Sequence, residues 1–149
     1  ISSSVLFPDV ATICFWVKKG NDYDMMIGGK RCGLMNRDGK LGFHTGNSDI
    51  WGIDWSEYSE QHWQWIHIAI VFVREDVVAS KLYINGVQQA MSKQRKKTYK
   101  SDRWKIDDKL RISGWLKDTS YEVNGLFDDF RVYAEEKSQE EIMEIMQAI

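Results

Sequence analysis

The chain has 149 residues, 43% hydrophobic and 28% charged, with 20 Lys and Arg against 22 Asp and Glu and a net charge of −2. That length suits one domain, residues 1–149, able to bury about two thirds of the surface its unfolded form exposes. The charge balance excludes intrinsic disorder and a globally basic nucleic-acid binder, and the longest apolar run, residues 66–73, falls far short of the ~20 residues of a membrane span.

From the N-terminus, ISSSVLF carries no Met, basic segment or signal-like stretch and reads as the start of a piece cut from a longer protein. Short apolar runs follow: TICFWV (12–17), DMMIG (24–28), GLMN (33–36), KLGFH (40–44), WIHIAIVFV (65–73), KLYIN (81–85), VQQAM (87–91), LRISGW (110–115) and LFDDFRVY (126–133). The Gly, Asn and Asp between them are the residues that tight turns require, so the pattern predicts an all-β chain. Asn85–Gly86 predicts a type I′ hairpin, and a longer hairpin is predicted around Asn36–Gly39. Keeping Phe127, Phe130 and Val132 on one face needs one extra residue, which a bulge at Asp128–Asp129 supplies. Only SQEEIMEIMQAI reads as helix: Ser138 and Glu141 form a capping box, and Ile142, Ile145 and Met146 form one stripe. Many strands and one terminal helix predict a two-sheet antiparallel sandwich with WIHIAIVFV as a central strand. Cys14 and Cys32 have neither CxxC spacing nor a nearby His, which argues against zinc and favours two free thiols over one disulfide.

Taken in order, TICFWVK, LGFHTGNSDIWGI, WIHIAIVF, KLYINGV, LRISGW and NGLFDDFRVYAEEKSQEEI resemble the laminin-G-like jelly roll of the concanavalin A-like lectin and glucanase superfamily. The resemblance runs from Ala11 to about Met146 and lacks a first strand, which it places upstream. It implies a jelly-roll sandwich, an extracellular or surface location, binding of a glycan or a cell-surface protein, and often a structural calcium. The superfamily's glucanases share an E-x-D-x-x-E strand that supplies the carboxylate pair of retaining hydrolysis. The nearest string here is GIDWSE, with Asp54 and Glu57 in place but Gly52 at the nucleophile position. No G-x-S-x-G, P-loop or H-E-x-x-H motif occurs, so no catalysis is expected.

Three candidate sites emerge. In the family's arrangement residues 45–64 run along the rim between the sheets, so Trp51, Trp55, Tyr58 and Trp63 offer stacking surface for a sugar beside Asn47, Asp49 and Asp54. The alternative is that IWGI is itself a strand and Trp51 plugs the core. Trp16 and Trp65 fall inside strand patterns and are assigned to packing, as is His67, while His44 and His62 lack metal-ligand spacing. The second candidate, KQRKKTYKSDRWK (93–105), sets seven cations against one acid, a net +6. Its Arg95, Lys96, Lys97 and Lys100, with Tyr99 and Trp104 interleaved, suit a polyanion; the alternative is a solvated hairpin-end loop. The third is Asp128, a calcium ligand by the family resemblance, or else simply a charged bulge residue; Asp22 and Asp24 are weaker metal candidates. The expected function is a non-catalytic, lectin-like carbohydrate-binding module of a surface or secreted protein. The alternative is an adhesion module that holds a protein or polyanion through residues 93–105; nucleic acid is not the expected partner. A degenerate hydrolase follows only from fold analogy.

Overall fold

The structure is a computed structural model that describes residues 7–20, 23–46, 48–56, 63–96, 101–106, 109–115 and 121–148. Eleven strands appear among them: β1 (Val10–Lys19), β2 (Asp24–Gly28), β3 (Gly33–Arg37), β4 (Lys40–His44), β5 (Ile50–Asp54), β6 (Ile66–Val73), β7 (Lys81–Ile84), β8 (Val87–Gln88), β9 (Ser92–Arg95), β10 (Arg111–Ile112) and β11 (Gly125–Tyr133). They pair antiparallel into a five-stranded sheet, β11-β1-β6-β7-β8, and a six-stranded sheet, β10-β2-β3-β4-β5-β9. This is the two-sheet antiparallel sandwich that the alternating runs predict.

Two strands were not among the predicted runs. Residues 45–64 are not a continuous rim loop, because Ile50–Asp54 pairs with β4 as β5. Part of the basic segment, Ser92–Arg95, pairs with β5 as the outermost strand of the six-stranded sheet. Sequence alternation missed both because glycine interrupts the first and lysine and glutamine fill the second. An edge strand facing water has no need of an apolar stripe.

Turn chemistry sets the local geometry. Asn85 and Gly86 both take positive φ, 50° and 81°, and Asp38 and Gly39 do the same at 52° and 72°. Both hairpins therefore close on two-residue turns, the second tighter than its sequence suggested. Asn85 is also tied down, its Oδ1 accepting the His67 N–H at 3.0 Å. In β11 the register slips opposite Phe15, and Asp129 has φ 48°. The bulge turns Phe127 and Phe130 toward Phe15, with ring centroids 5.6 Å away in each case.

Between the sheets lies one continuous core, from Ile13, Phe15 and Val17 of β1 to Leu34, Leu41, Phe43 and Ile53 of the facing sheet. At one end Lys19 of β1 reaches Asp24 of β2 at 2.8 Å, a buried ion pair that joins the two sheets. Such a pair adds little net stability but is costly to break from one side.

Each sheet also has an outer face, and each is only partly covered. The helix α1 (Gln139–Gln147) starts at the predicted capping box: Ser138 Oγ accepts the Glu141 N–H and Glu141 Oε1 accepts the Ser138 N–H, each at 3.2 Å. It seats Ile142 against Cys14, Ala69, Val71 and Tyr83 on the outer face of the five-stranded sheet. Across the molecule, Ser113, Gly114 and Tyr121 hydrogen-bond along the edge of β2. Trp115 and Tyr121 pack over Met25, Met35 and Ile50 on the outer face of the six-stranded sheet. Both cysteines are buried and neither is in a disulfide, and burial raises the pKa of the Cys14 thiol to about 11.

Two consequences are measurable. Gly42 and Gly52 are paired across β4 and β5, and a Cβ on Gly52 would stand 2.0 Å from the Leu41 carbonyl oxygen. Backbone cannot yield cheaply, so Gly52→Ala should lower stability by at least ~2 kcal/mol in chemical denaturation; an unchanged midpoint would refute the close approach. His44 lies fully buried with its ring centroid 5.3 Å from that of Trp115, and burial lowers it from 6.5 to about 4, the Asp49 carboxylate opposing only in part. Unfolding therefore takes up a proton below pH 6.5. This contribution, on the order of 3 kcal/mol, is whole above pH 6.5 and is lost as pH falls toward 4. The melting temperature should drop across that window, and His44→Gln should flatten part of the drop; identical slopes in the two proteins would exclude His44 as the cause.

A groove on the outer face of the five-stranded sheet

The rim cluster drawn from the sequence does not assemble. Trp55 is 2% exposed and belongs to the core between the sheets, so it presents no face to a ligand. Asp49 is likewise enclosed, its carboxylate taking the Thr45 N–H at 3.1 Å and the Thr45 hydroxyl at 2.8 Å. Trp51 lies in β5, half-buried against the core, which is the strand alternative. Asp54 is exposed but engaged by Lys40 Nζ at 2.8 Å and by Ser56, and these contacts, the lysine foremost, hold its carboxyl well below the usual carboxylate range. Among the cluster's described tryptophans Trp63 keeps a wet face, 51% exposed, with its backbone N–H donating to the Lys19 carbonyl at 2.9 Å and its indole where a Cβ on Gly20 would fall. Asn47, Glu57, Tyr58 and His62 lie outside the described residues.

The basic segment loses Trp104 as a stacking surface. Trp104 is 1% exposed; its Nε1–H donates to Ser80 Oγ at 2.9 Å, and its ring lies 4.9 Å from Phe43 and 5.0 Å from Phe72, one on each sheet. It is a core residue that locks the sandwich, not a stacking platform. Arg95 turns its guanidinium to within 3.9 Å of Asp38, while Lys96 is exposed. Lys97, Tyr99 and Lys100 lie outside the described residues, as does Asp22.

Aromatic and charged groups converge elsewhere. On the outer face of the five-stranded sheet, beyond the C-terminal end of α1, Trp16, Trp65, Asp128, Asp129, Arg131 and Ala148 line a groove of about 520 Å³. Alternation along β1 explains the first of them: Ile13, Phe15 and Val17 point into the sandwich, so Cys14 and Trp16 point out. The helix covers Cys14 but not Trp16. Trp65, assigned to packing from its strand context, is 43% exposed. His67 is the buried histidine that its alternation predicts, 2% exposed and edge-on to Trp16 at 5.1 Å, and burial lowers its pKa.

The acids of the groove come from the bulge. In register, Trp16 faces Asp128 and Cys14 faces Arg131, so the intervening slip delivers Asp128, Asp129 and Arg131 beside the tryptophans. Arg131 Nε donates to Asp129 Oδ1 at 2.8 Å, a contact that raises the guanidinium pKa further. Asp128 Oδ1 accepts the Asp129 N–H at 2.8 Å. A calcium cage would need six to eight oxygens. Among the described residues no three His, Cys, Asp or Glu converge to hold a metal, and Asp129 is already committed to Arg131.

The sequence passed over Trp16, Trp65, Asp129 and Arg131 as ligand-facing residues, yet a signal was present. Nine helical residues span ~14 Å, whereas the ten residues of β1 span ~33 Å. One helix is too short to cover that face.

Comparison with known proteins places this architecture. A laminin-G-type sequence model, described as the Concanavalin A-like lectin/glucanases superfamily, matches residues 2–143. No curated protein sequence matches the chain. Among solved structures the chain is similar to a Bacteroides ovatus protein assigned to carbohydrate binding, with 14% identity and a TM-score of 0.63, covering 95% of this chain and 41% of that one. It is similar to the receptor binding domain of botulinum neurotoxin C/D mosaic serotype, with 17% identity and a TM-score of 0.61, covering 95% and 36%. It is also similar to the botulinum neurotoxin serotype D ligand binding domain in complex with N-acetylneuraminic acid, with 17% identity and a TM-score of 0.61, covering 99% and 38%. At such identities the likeness is one of fold, and the chain spans about two fifths or less of each of those proteins. With the family model matched over all but its two ends, the chain belongs to the Concanavalin A-like lectin/glucanases superfamily.

Proposed function

We propose that the chain is a non-catalytic, lectin-like carbohydrate-binding module of a secreted or surface-exposed protein, and that it seats the sugar in the groove on the outer face of the five-stranded sheet. The observation that carries this reading is the meeting of Trp16 and Trp65 with Asp128, Asp129 and Arg131 around one hollow of about 520 Å³. That volume is within the roughly 300–1,000 Å³ range of small-ligand sites. Indole faces stack on the C–H faces of sugar rings, carboxylates accept from hydroxyls, and a guanidinium donates to them. Supporting it, the chain shares its fold with a protein assigned to carbohydrate binding and with one crystallised with N-acetylneuraminic acid. The absence of catalysis is supported by Gly52, which stands where the superfamily's glucanases need a carboxylate and has no side chain to attack a sugar carbon. Among the described residues no helix is long and apolar enough to cross a membrane.

A second reading, an adhesion module for an acidic protein or polyanion, is favoured by the net +6 of residues 93–105. Its attraction would be ionic and without support from Trp104, which is buried.

Glycan-array and calorimetric binding to the wild type and two tryptophan variants test the proposal. Trp65→Ala should weaken glycan binding at least about tenfold with little change in melting temperature, because that ring is half in water. Trp55→Ala should instead cost about 3–5 kcal/mol of stability, as a large cavity does. Full glycan binding in Trp65→Ala would remove the groove from consideration. Binding that vanishes in about 0.5 M salt and in Lys93→Ala/Lys96→Ala would establish the ionic reading. Release of reducing sugar from a β-glucan would overturn the absence of catalysis.

A further inference from the structure

We infer that the groove prefers a sugar carrying a free amino group over a neutral or acidic one, with the ammonium held between Asp128 and the tryptophan faces. This inference rests on the groove being the sugar site and adds the chemical class of its ligand.

Charge gives the first argument. Among the described residues the groove contains two carboxylates and one guanidinium, a net −1. Arg131 is committed to Asp129 at 2.8 Å, so those two charges offset each other. Asp128 is exposed, and among the described residues no cation pairs with it, its Oδ1 accepting only the neutral Asp129 N–H. The second carboxylate oxygen is left for a ligand. Lys18, the next outward-pointing residue of β1, does not line the hollow.

The aromatic residues give the second argument, independent of the first. Trp16 and Trp65 border the same hollow, and indole is the side chain whose π face attracts cations most strongly. Helix α1 gives the third. Ala148, its C-cap, lines the groove, and the last turn of the helix carries no basic residue. The last carbonyls of a helix lack intrahelical donors and together present a partial negative charge. Here that charge faces the groove without a lysine or arginine of the helix to answer it. An unpaired carboxylate, two indoles and a helix C-terminus all favour positive charge, and each disfavours the carboxylate of a sialic or uronic acid. Ligand preference therefore does not follow from the structural neighbour that holds N-acetylneuraminic acid.

The experiment compares β-1,4-linked glucosamine oligomers, their N-acetylated counterparts and N-acetylneuraminic acid, by calorimetry on the wild type, Asp128→Asn and Trp65→Ala. The glucosamine oligomer should bind about tenfold more tightly than the N-acetylated one, the factor expected from one charge-assisted hydrogen bond. Asp128→Asn should weaken the glucosamine oligomer about tenfold more than the N-acetylated one and so erase that difference. Equal or tighter binding of the N-acetylated oligomer or of N-acetylneuraminic acid, still lost in Trp65→Ala, would overturn the amino-sugar preference and leave the groove as a sugar site. A preference for glucosamine that survives in Asp128→Asn would also overturn it. Absence of Trp65-dependent binding for every probe would overturn both readings.

Discussion

The constraint on which the rest depends is that the central strands of the five-stranded sheet are apolar on both faces. Seven of the eight residues of β6 are buried, and β1 alternates core residues with Thr12, Cys14 and Trp16 on the other side. One face is satisfied by the opposing sheet. The other needs a separate cover, because apolar surface left in water forfeits about 25 cal/mol per Å². Helix α1 supplies it over Cys14, Ala69, Val71 and Tyr83, and then ends. Trp16 and Trp65 continue the same outward-facing surface past Ala148, where no helix lies over them. The groove is the uncovered end of a face that the fold covers only in part.

The interior accounts for the other tryptophans. A sandwich about 10 Å thick must be filled at near-crystalline density, and bulky rings do this where side chains of both sheets meet. Trp104 lies between Phe43 of one sheet and Phe72 of the other, and its buried N–H finds Ser80. Trp55 sits in the same core. A tryptophan enclosed in this way serves cohesion and is unavailable to a ligand, so the aromatic surface open to recognition comes from residues outside the core.

The bulge in β11 couples packing to chemistry. Its extra residue turns both Phe127 and Phe130 inward onto Phe15, and the same slip delivers Asp128, Asp129 and Arg131 to the outer face. Removing it would shift the strand by one residue and exchange its faces, since side chains alternate with period two. A single backbone irregularity therefore completes the core on one side and furnishes the polar groups of the groove on the other. The ordering in this strand is local, fixed by the Asp129–Arg131 contact and by the left-handed conformation of Asp129.

The sequence by itself determined most of the scaffold: the Asn85–Gly86 turn, the β11 bulge, the capping box at Ser138, the buried His67 and the central position of β6. Each of these is a local rule, a turn residue, a periodicity or a cap, that operates over a few neighbours. It also announced its family through six segments in order. Tertiary structure alone decided which tryptophans meet water. Trp55 and Trp104 stand in polar-looking stretches and are enclosed; Trp16 and Trp65 stand in strand-like stretches and border the groove. An indole's exposure depends on whether a distant element happens to lie above it, here the opposing sheet for two of them and the end of a nine-residue helix for the others. That information resides in the packing of elements far apart in the chain, not in the residues on either side.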